Sequence, residues 1–160
     1  MLFLTWIGGL AVLALFFQHL LSNRENPNRD IEVTHDAQGR AQVILQRNRA
    51  GHYVANGRIN GEPVVFLLDT GSTDVALPLI LARRLGLQLG DERVARTASG
   101  TVQSWSARLD SVDLGGLGVR DVPASVLPDM PGEQVLLGMS FLKHFELIQR
   151  GNTLTLRPPG

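Results

Sequence analysis

Five apolar residues, Val64-Val65-Phe66-Leu67-Leu68, run without interruption into an acid, Asp69, which is followed at once by Thr70-Gly71-Ser72-Thr73. A carboxylate at the end of such a run loses hydration unless neighbouring groups hydrogen-bond it or pair with it. The run itself is the pattern expected of a strand buried on both faces. Upstream, residues 52–59 and 63–68 flank Asn60-Gly61. That pair accepts the positive φ angles of a type I′ turn, so a β-hairpin is predicted with Asp69 at the end of its second arm.

Past the acid the same reading continues in short elements. Pro78 can open a short helix with an apolar face of Leu79, Ile80, Ala82 and Leu85, closed by Gly86. Strands are predicted over residues 93–97, 102–109, 119–126 and 135–137, separated by Gly100, Gly115-Gly116, Pro128 and Gly132. A one-turn helix at 139–143 precedes a last hairpin, 145–149 and 153–157, around Gly151-Asn152. The 17 glycines and 8 prolines suit an all-β domain with many turns. No period marks a repeat protein.

The start of the chain obeys other rules. No charged side chain occurs from Met1 to Asn23, and only Thr5, Gln18 and His19 interrupt the apolar character of residues 2–21. At 1.5 Å per residue that stretch spans roughly the 30 Å of a bilayer core, so a transmembrane anchor is expected over residues 1–21. A cleaved signal peptide is the competing reading, but the segment lacks a basic start and a small-residue exit near Leu20, Leu21 and Ser22. Residues 22–40, with few apolar side chains, read as a tether, which leaves 41–160 as the globular domain.

Charge and composition close several functional classes. The 15 basic and 15 acidic side chains cancel, so nothing favours phosphate neutralisation and nucleic-acid binding is not expected. With no cysteine there is no disulfide, zinc-thiolate site or thiol nucleophile. No H-E-x-x-H, P-loop or G-x-G-x-x-G string occurs, and no cofactor or metal is expected. A subtilisin-type serine protease also places D-T-G after an apolar strand. However, none of His19, His35, His52 and His144 is followed by Gly, and no G-T-S string is present.

Residues 67–73, Leu-Leu-Asp-Thr-Gly-Ser-Thr, resemble the active-site loop of the aspartic proteases. Leu136-Leu137-Gly138 resembles that family's second signature, two apolar residues and a glycine ahead of a short helix. Between them, Thr97-Ala98-Ser99-Gly100-Thr101 sits where the family has its flap hairpin. The resemblance covers roughly residues 50–158 and is to the single-domain, retropepsin-like branch, including membrane-anchored bacterial members. It implies an all-β closed barrel with a flap hairpin and one or two short helices. Retroviral members often carry Asp at the position of Thr73 and Arg at that of Met139; both charges are missing here, and Asp74 is a candidate for part of their role.

What the resemblance implies is an aspartic endopeptidase with Asp69 as its catalytic residue. No other acid in the chain is followed by Thr-Gly or Ser-Gly, so the second carboxylate is expected from the Asp69 of a second copy, in a homodimer. Thr70 would hydrogen-bond across the dimer axis, and Gly71 would let the backbone approach substrate. Ser72 would bond the outer oxygen of Asp69. Ala98, Ser99 and Gly100 would form the flap tip over an extended peptide or membrane-protein substrate, and Leu136, Leu137 and Gly138 would pack behind the loop. The alternative is a retropepsin-fold adaptor that dimerises or binds peptides at the membrane without cutting. Arg24 and Arg29, offset by Glu25 and Asp30, lean toward a cytoplasmic domain. The anchored members it resembles point instead to the periplasmic side of a bacterial inner membrane, which is the side expected here.

Overall fold

The computed structural model describes residues 25–97 and 100–160. The transmembrane anchor expected over residues 1–21 and the flap-tip positions Ala98 and Ser99 lie outside the described residues. Among the described residues no helix is long and apolar enough to cross a membrane.

The predicted hairpin forms from β3 (Val54–Ile59) and β4 (Glu62–Leu68), which pair antiparallel from Ile59↔Glu62 to Val54↔Leu67. Its turn residues Asn60 and Gly61 have φ 51° and 84°, as a type I′ turn requires. β5 (Val75–Pro78), β7 (Gly100–Leu114), β8 (Leu117–Leu127) and β9 (Val135–Leu137) complete the barrel in the order β3-β4-β9-β5-β8-β7. Pairing of β3 with β7 at Arg58↔Asp113 and Ile59↔Val112 closes a ring of six strands. β6 (Glu92–Thr97) extends beyond the ring as the partner of β7, giving the expected flap hairpin. Phe66, Leu77, Leu109, Val126, Leu137 and Phe141 are fully buried inside.

Three details of these elements differ from expectation. β4 is paired on both edges yet covered on one face only, so Val65 is 36% exposed while Val64 and Phe66 are buried. α1 (Leu79–Arg84) turns Leu81 and Ala82 inward and leaves Ile80 63% exposed, with Gly86 at φ 64° just past its end. β7 continues past Leu109 to Leu114, because β8 pairs with it as far as Leu114↔Leu117 at the Gly115-Gly116 turn. α2 (Met139–Leu142) is the predicted single turn.

A second sheet joins the two ends of the described chain in the order β1 (Thr34–His35), β2 (Ala41–Gln46), β11 (Thr153–Arg157), β10 (Glu146–Arg150). Within the 22–40 stretch read as a tether, residues 26–40 are docked on the domain. Ile31 and Val33 pack on the core, β1 pairs with β2, and Asn26 and Asn28 are buried. The physical reason is that Asn28 acts as a surrogate for backbone. Its Nδ2 donates to Gln46 O at 2.9 Å and Val54 O at 2.7 Å, and its Oδ1 accepts Gln46 N–H at 2.6 Å. One side chain thus ties the end of β2 to the start of β3. Asn28→Ala leaves those buried groups unpaired and is expected to cost about 2–3 kcal/mol, read as a lower urea midpoint with unchanged slope.

The turn between β1 and β2 rests on Asp36. Its Oδ1 accepts N–H groups of Gln38 at 3.0 Å and Arg40 at 2.9 Å, and its Oδ2 meets Arg40 Nε at 2.8 Å and Arg157 Nη1 at 3.6 Å. The Arg40 backbone N–H holds the Asp36 carboxyl below its ordinary range, against partial burial, with the Arg40 side chain assisting. The guanidinium of Arg157 does the same for Glu146 at 2.7 Å. Because both folded values are depressed, these contacts contribute fully above the ordinary carboxylate range and are lost as pH falls through the folded values. The expected result is loosening of the β1–β2 turn only below about pH 4, read from the Gln38 and Arg40 amide resonances, with the pH response removed by Asp36→Asn.

Candidate active site

Asp69 leaves β4 where the parallel neighbour β9 still runs beside it, and its N–H donates to Leu137 O at 3.1 Å. The chain then turns back on itself. Ser72 N–H reaches Asp69 O at 3.2 Å, and Gly71 N–H donates to Asp69 Oδ1 at 2.9 Å. The second carboxylate oxygen, Oδ2, has no hydrogen-bond partner among the described residues, and no cation pairs with the half-buried acid there. A side chain at Gly71 would sit 3.1 Å from Asp69 Oδ1, so glycine leaves that face of the acid open.

Behind the loop, the stretch 72–75 is stitched to α2. Met139 N–H donates to Ser72 O and Ser140 N–H to Thr73 O, each at 2.8 Å. Buried Ser140 accepts Val75 N–H at 2.9 Å and donates to Pro123 O at 2.8 Å, joining α2 to the two strands β5 and β8 through one hydroxyl. Thr73 and Met139 lack the charges of retroviral members, and backbone bonds join their segments instead. Ser72 Oγ donates to Asp74 O at 2.8 Å rather than to Asp69. The nearby carbonyl offers a local acceptor that closes the turn, which corrects the role expected for Ser72. Asp74 also has a partner: Ser125 Oγ donates to its Oδ2 at 3.1 Å.

Asp69 opens into a cleft of about 950 Å³. Gly71, Ser72, Thr73 and Asp74 line its floor, with Ala76 and Leu136 beside them. Arg93, Val94 and Val102 come from the flap arms, and Leu127 to Pro131 form the opposite wall. Leu137 and Gly138 are buried. Leu136, expected behind the loop with them, is only partly buried and faces the cleft, because alternation along β9 puts it opposite Leu137. Thr70 is exposed at the outer end of the loop, and Gly100 opens β7 at φ 126°. The sequence reading missed Ser125, Ser140 and the wall at 127–131. A serine between Met139 and Phe141, in an otherwise apolar turn, was the one available signal.

Comparison with known proteins agrees with this geometry. Residues 55–144 match the family model described as "gag-polyprotein putative aspartyl protease". The crystal structure of a retropepsin-like aspartic protease from Rickettsia conorii is 30% identical, covers 81% of this chain and 94% of its own, and superposes with a TM-score of 0.64. EIAV protease complexed with the inhibitor HBY-793, at 22% identity, TM-score 0.50, and 62% and 92% coverage, shares the fold. An uncharacterized protein in the cobV 5′ region of Sinorhizobium sp is 32% identical over 82% of this chain and 58% of its own length. An uncharacterized protein of Rickettsia prowazekii (strain Madrid E) is 30% identical over 66% and 46%. The chain therefore spans about half the length of the curated relatives it matches. With its D-T-G loop, flap hairpin and six-stranded ring all in place, the chain belongs to the retropepsin-like aspartic protease family.

Proposed function

We propose that the protein is an aspartic endopeptidase that works as a homodimer, each copy supplying Asp69 to one shared site. The observation that carries this reading is the state of Asp69. It stands at a large cleft, is oriented by Gly71 N–H through Oδ1, and carries a free Oδ2 with no second acid from its own loop to assist it. Asp74 is engaged by Ser125, so a second Asp69 is the natural partner. The Thr70 hydroxyl, exposed and without a hydrogen bond among the described residues, is available to join the two loops across a two-fold axis.

Two such carboxylates about 3 Å apart share one proton, because two like charges that close repel. The ionised member takes a proton from a water held between them, and the oxygen of that water attacks the scissile carbonyl. The protonated member hydrogen-bonds the carbonyl oxygen and then gives its proton to the departing amine. The peptide lies extended, adding as a strand against the flap and loop backbone. Residues 2–21 anchor the chain in a bacterial inner membrane with the domain on the periplasmic side, close to membrane-protein substrates. Cleavage of a peptide library by the purified full chain, abolished by Asp69→Asn in a still-folded dimer, tests the reading. Equal cleavage by the variant, or a folded dimer that never cuts, refutes it.

A further inference from the structure

Only four residue steps separate Leu21, the last residue of the apolar run, from Glu25, a span of at most roughly 14 Å. From Glu25 onward the chain is fixed to the domain. Glu25 O accepts Asn48 Nδ2 at 3.0 Å, and Asn28 is clamped between β2 and β3. The loop from β2 to β3 is folded by Asn48 N–H on His52 O at 2.8 Å and His52 N–H on Asn48 Oδ1 at 2.9 Å. Arg47 N–H donates to Asn152 O at 2.8 Å, which brings the β10–β11 turn alongside.

These three segments carry Arg29, Arg47, Arg49 and Arg150. None of the four forms an ion pair among the described residues. Arg49 and Arg150 are exposed. Arg47 lies over the Tyr53 ring at 5.4 Å from its centre, which steadies a guanidinium beside the loop. The acids on the same segments are Glu25 and Asp30, so the face keeps an excess of positive charge where the chain leaves the apolar run.

We propose that this arginine face docks on the anionic headgroups of the lipid bilayer in which residues 2–21 are anchored. The proposal rests on the anchored reading above. Guanidinium groups match phosphate geometry in bidentate fashion, and basic side chains near an anionic surface each favour binding by about five-fold. Docking also bears on substrate choice. Tyr53 O accepts the N–H of Leu68, the residue before Asp69, at 3.0 Å, so one hydrogen bond links the docked loop to the catalytic strand. The cleft is then held near the lipid surface, where it suits segments of other proteins just outside the membrane.

The absence of cysteine allows a direct test. The full chain is reconstituted in vesicles with a fluorophore on Ala50→Cys, in the arginine loop, or on Ala37→Cys, in the turn at the other end of β2. The lipids carry a headgroup quencher. In vesicles containing phosphatidylglycerol, strong quenching is expected at position 50 and little at 37. The 50 signal should fade in pure phosphatidylcholine and in the triple variant Arg29→Gln, Arg49→Gln, Arg150→Gln, whose docked-to-free ratio should fall on the order of 100-fold. Equal quenching at 50 and 37, or a signal at 50 indifferent to lipid charge and to the three arginines, overturns the proposal. Failure of the chain to float with the vesicles refutes the anchor and the docking together, whereas flotation without quenching at 50 refutes the docking alone.

Discussion

Asp69→Asn is expected to lower peptide hydrolysis by about 10⁴-fold or more, because on the proposed homodimer mechanism the substitution removes the base and the acid of the shared site together, each worth 10²–10⁴-fold. The fold should survive. The Asn carbonyl can still accept the Gly71 N–H that now reaches Asp69 Oδ1 at 2.9 Å, so no buried donor is orphaned. Homodimer catalysis adds a second expectation. Exchanging subunits with an equal amount of the variant leaves about one quarter of the dimers with both aspartates, which halves the rate given by the original wild-type chains. Independent monomers would keep that rate unchanged. Peptide cleavage measured before and after exchange decides between the two, and an undiminished rate would exclude the shared site.

Elements fixed by local chemistry were legible in the sequence. Asn60-Gly61, Gly86 and Gly151 announce positive φ angles, and the structure has them at 51° and 84°, 64° and 57°. The D-T-G loop was legible because few contexts put an acid straight after five apolar residues. What stayed hidden depends on partners distant in the sequence. β2 buries fully only Val43 and Leu45, with Ile44 outward, and its partner β11 stands at the far end of the chain. Asn28 reads as a loop former, since nothing local tells that its amide will bridge Gln46 and Val54.

The site shows the same division on a smaller scale. Asp69 and Gly138 are named by their neighbours in the chain, but the use of each hydroxyl is decided in space. Ser72 turns to the carbonyl of Asp74, two residues on, and Ser125 reaches the Asp74 carboxylate from β8. Leu136 and Leu137 are equally apolar, and only the pleat of β9 sends one to the cleft and the other to the core. A hydropathy pattern cannot separate them without the strand's register.

Gly138→Ala is expected to destabilise the protein by about 3 kcal/mol, at the upper end for added volume in a packed site. Two effects oppose each other here. Gly138 has φ −91° and ψ −171°, extended backbone that any residue adopts, so alanine loses less entropy on folding and would stabilise by about 0.4–1 kcal/mol if there were room. There is none: a Cβ would fall onto the carbonyl oxygen of Asp74 and lie 2.7 Å from that of Ser72, both rigid backbone. Relief requires moving α2 away from the loop, which breaks the 2.8 Å bonds from Met139 to Ser72 and from Ser140 to Thr73 that stand behind Asp69. The steric term therefore wins, and activity should fall with stability. Gly39→Ala is the contrast, since its space is open and only φ 76° opposes it, at about 1 kcal/mol. Urea midpoints in detergent, read from Trp105 emission in a Trp6→Phe background, measure both. A Gly138→Ala loss no larger than that of Gly39→Ala would mean that the loop and α2 are not locked together through backbone, and that Asp69 is oriented by Gly71 and Leu137 alone.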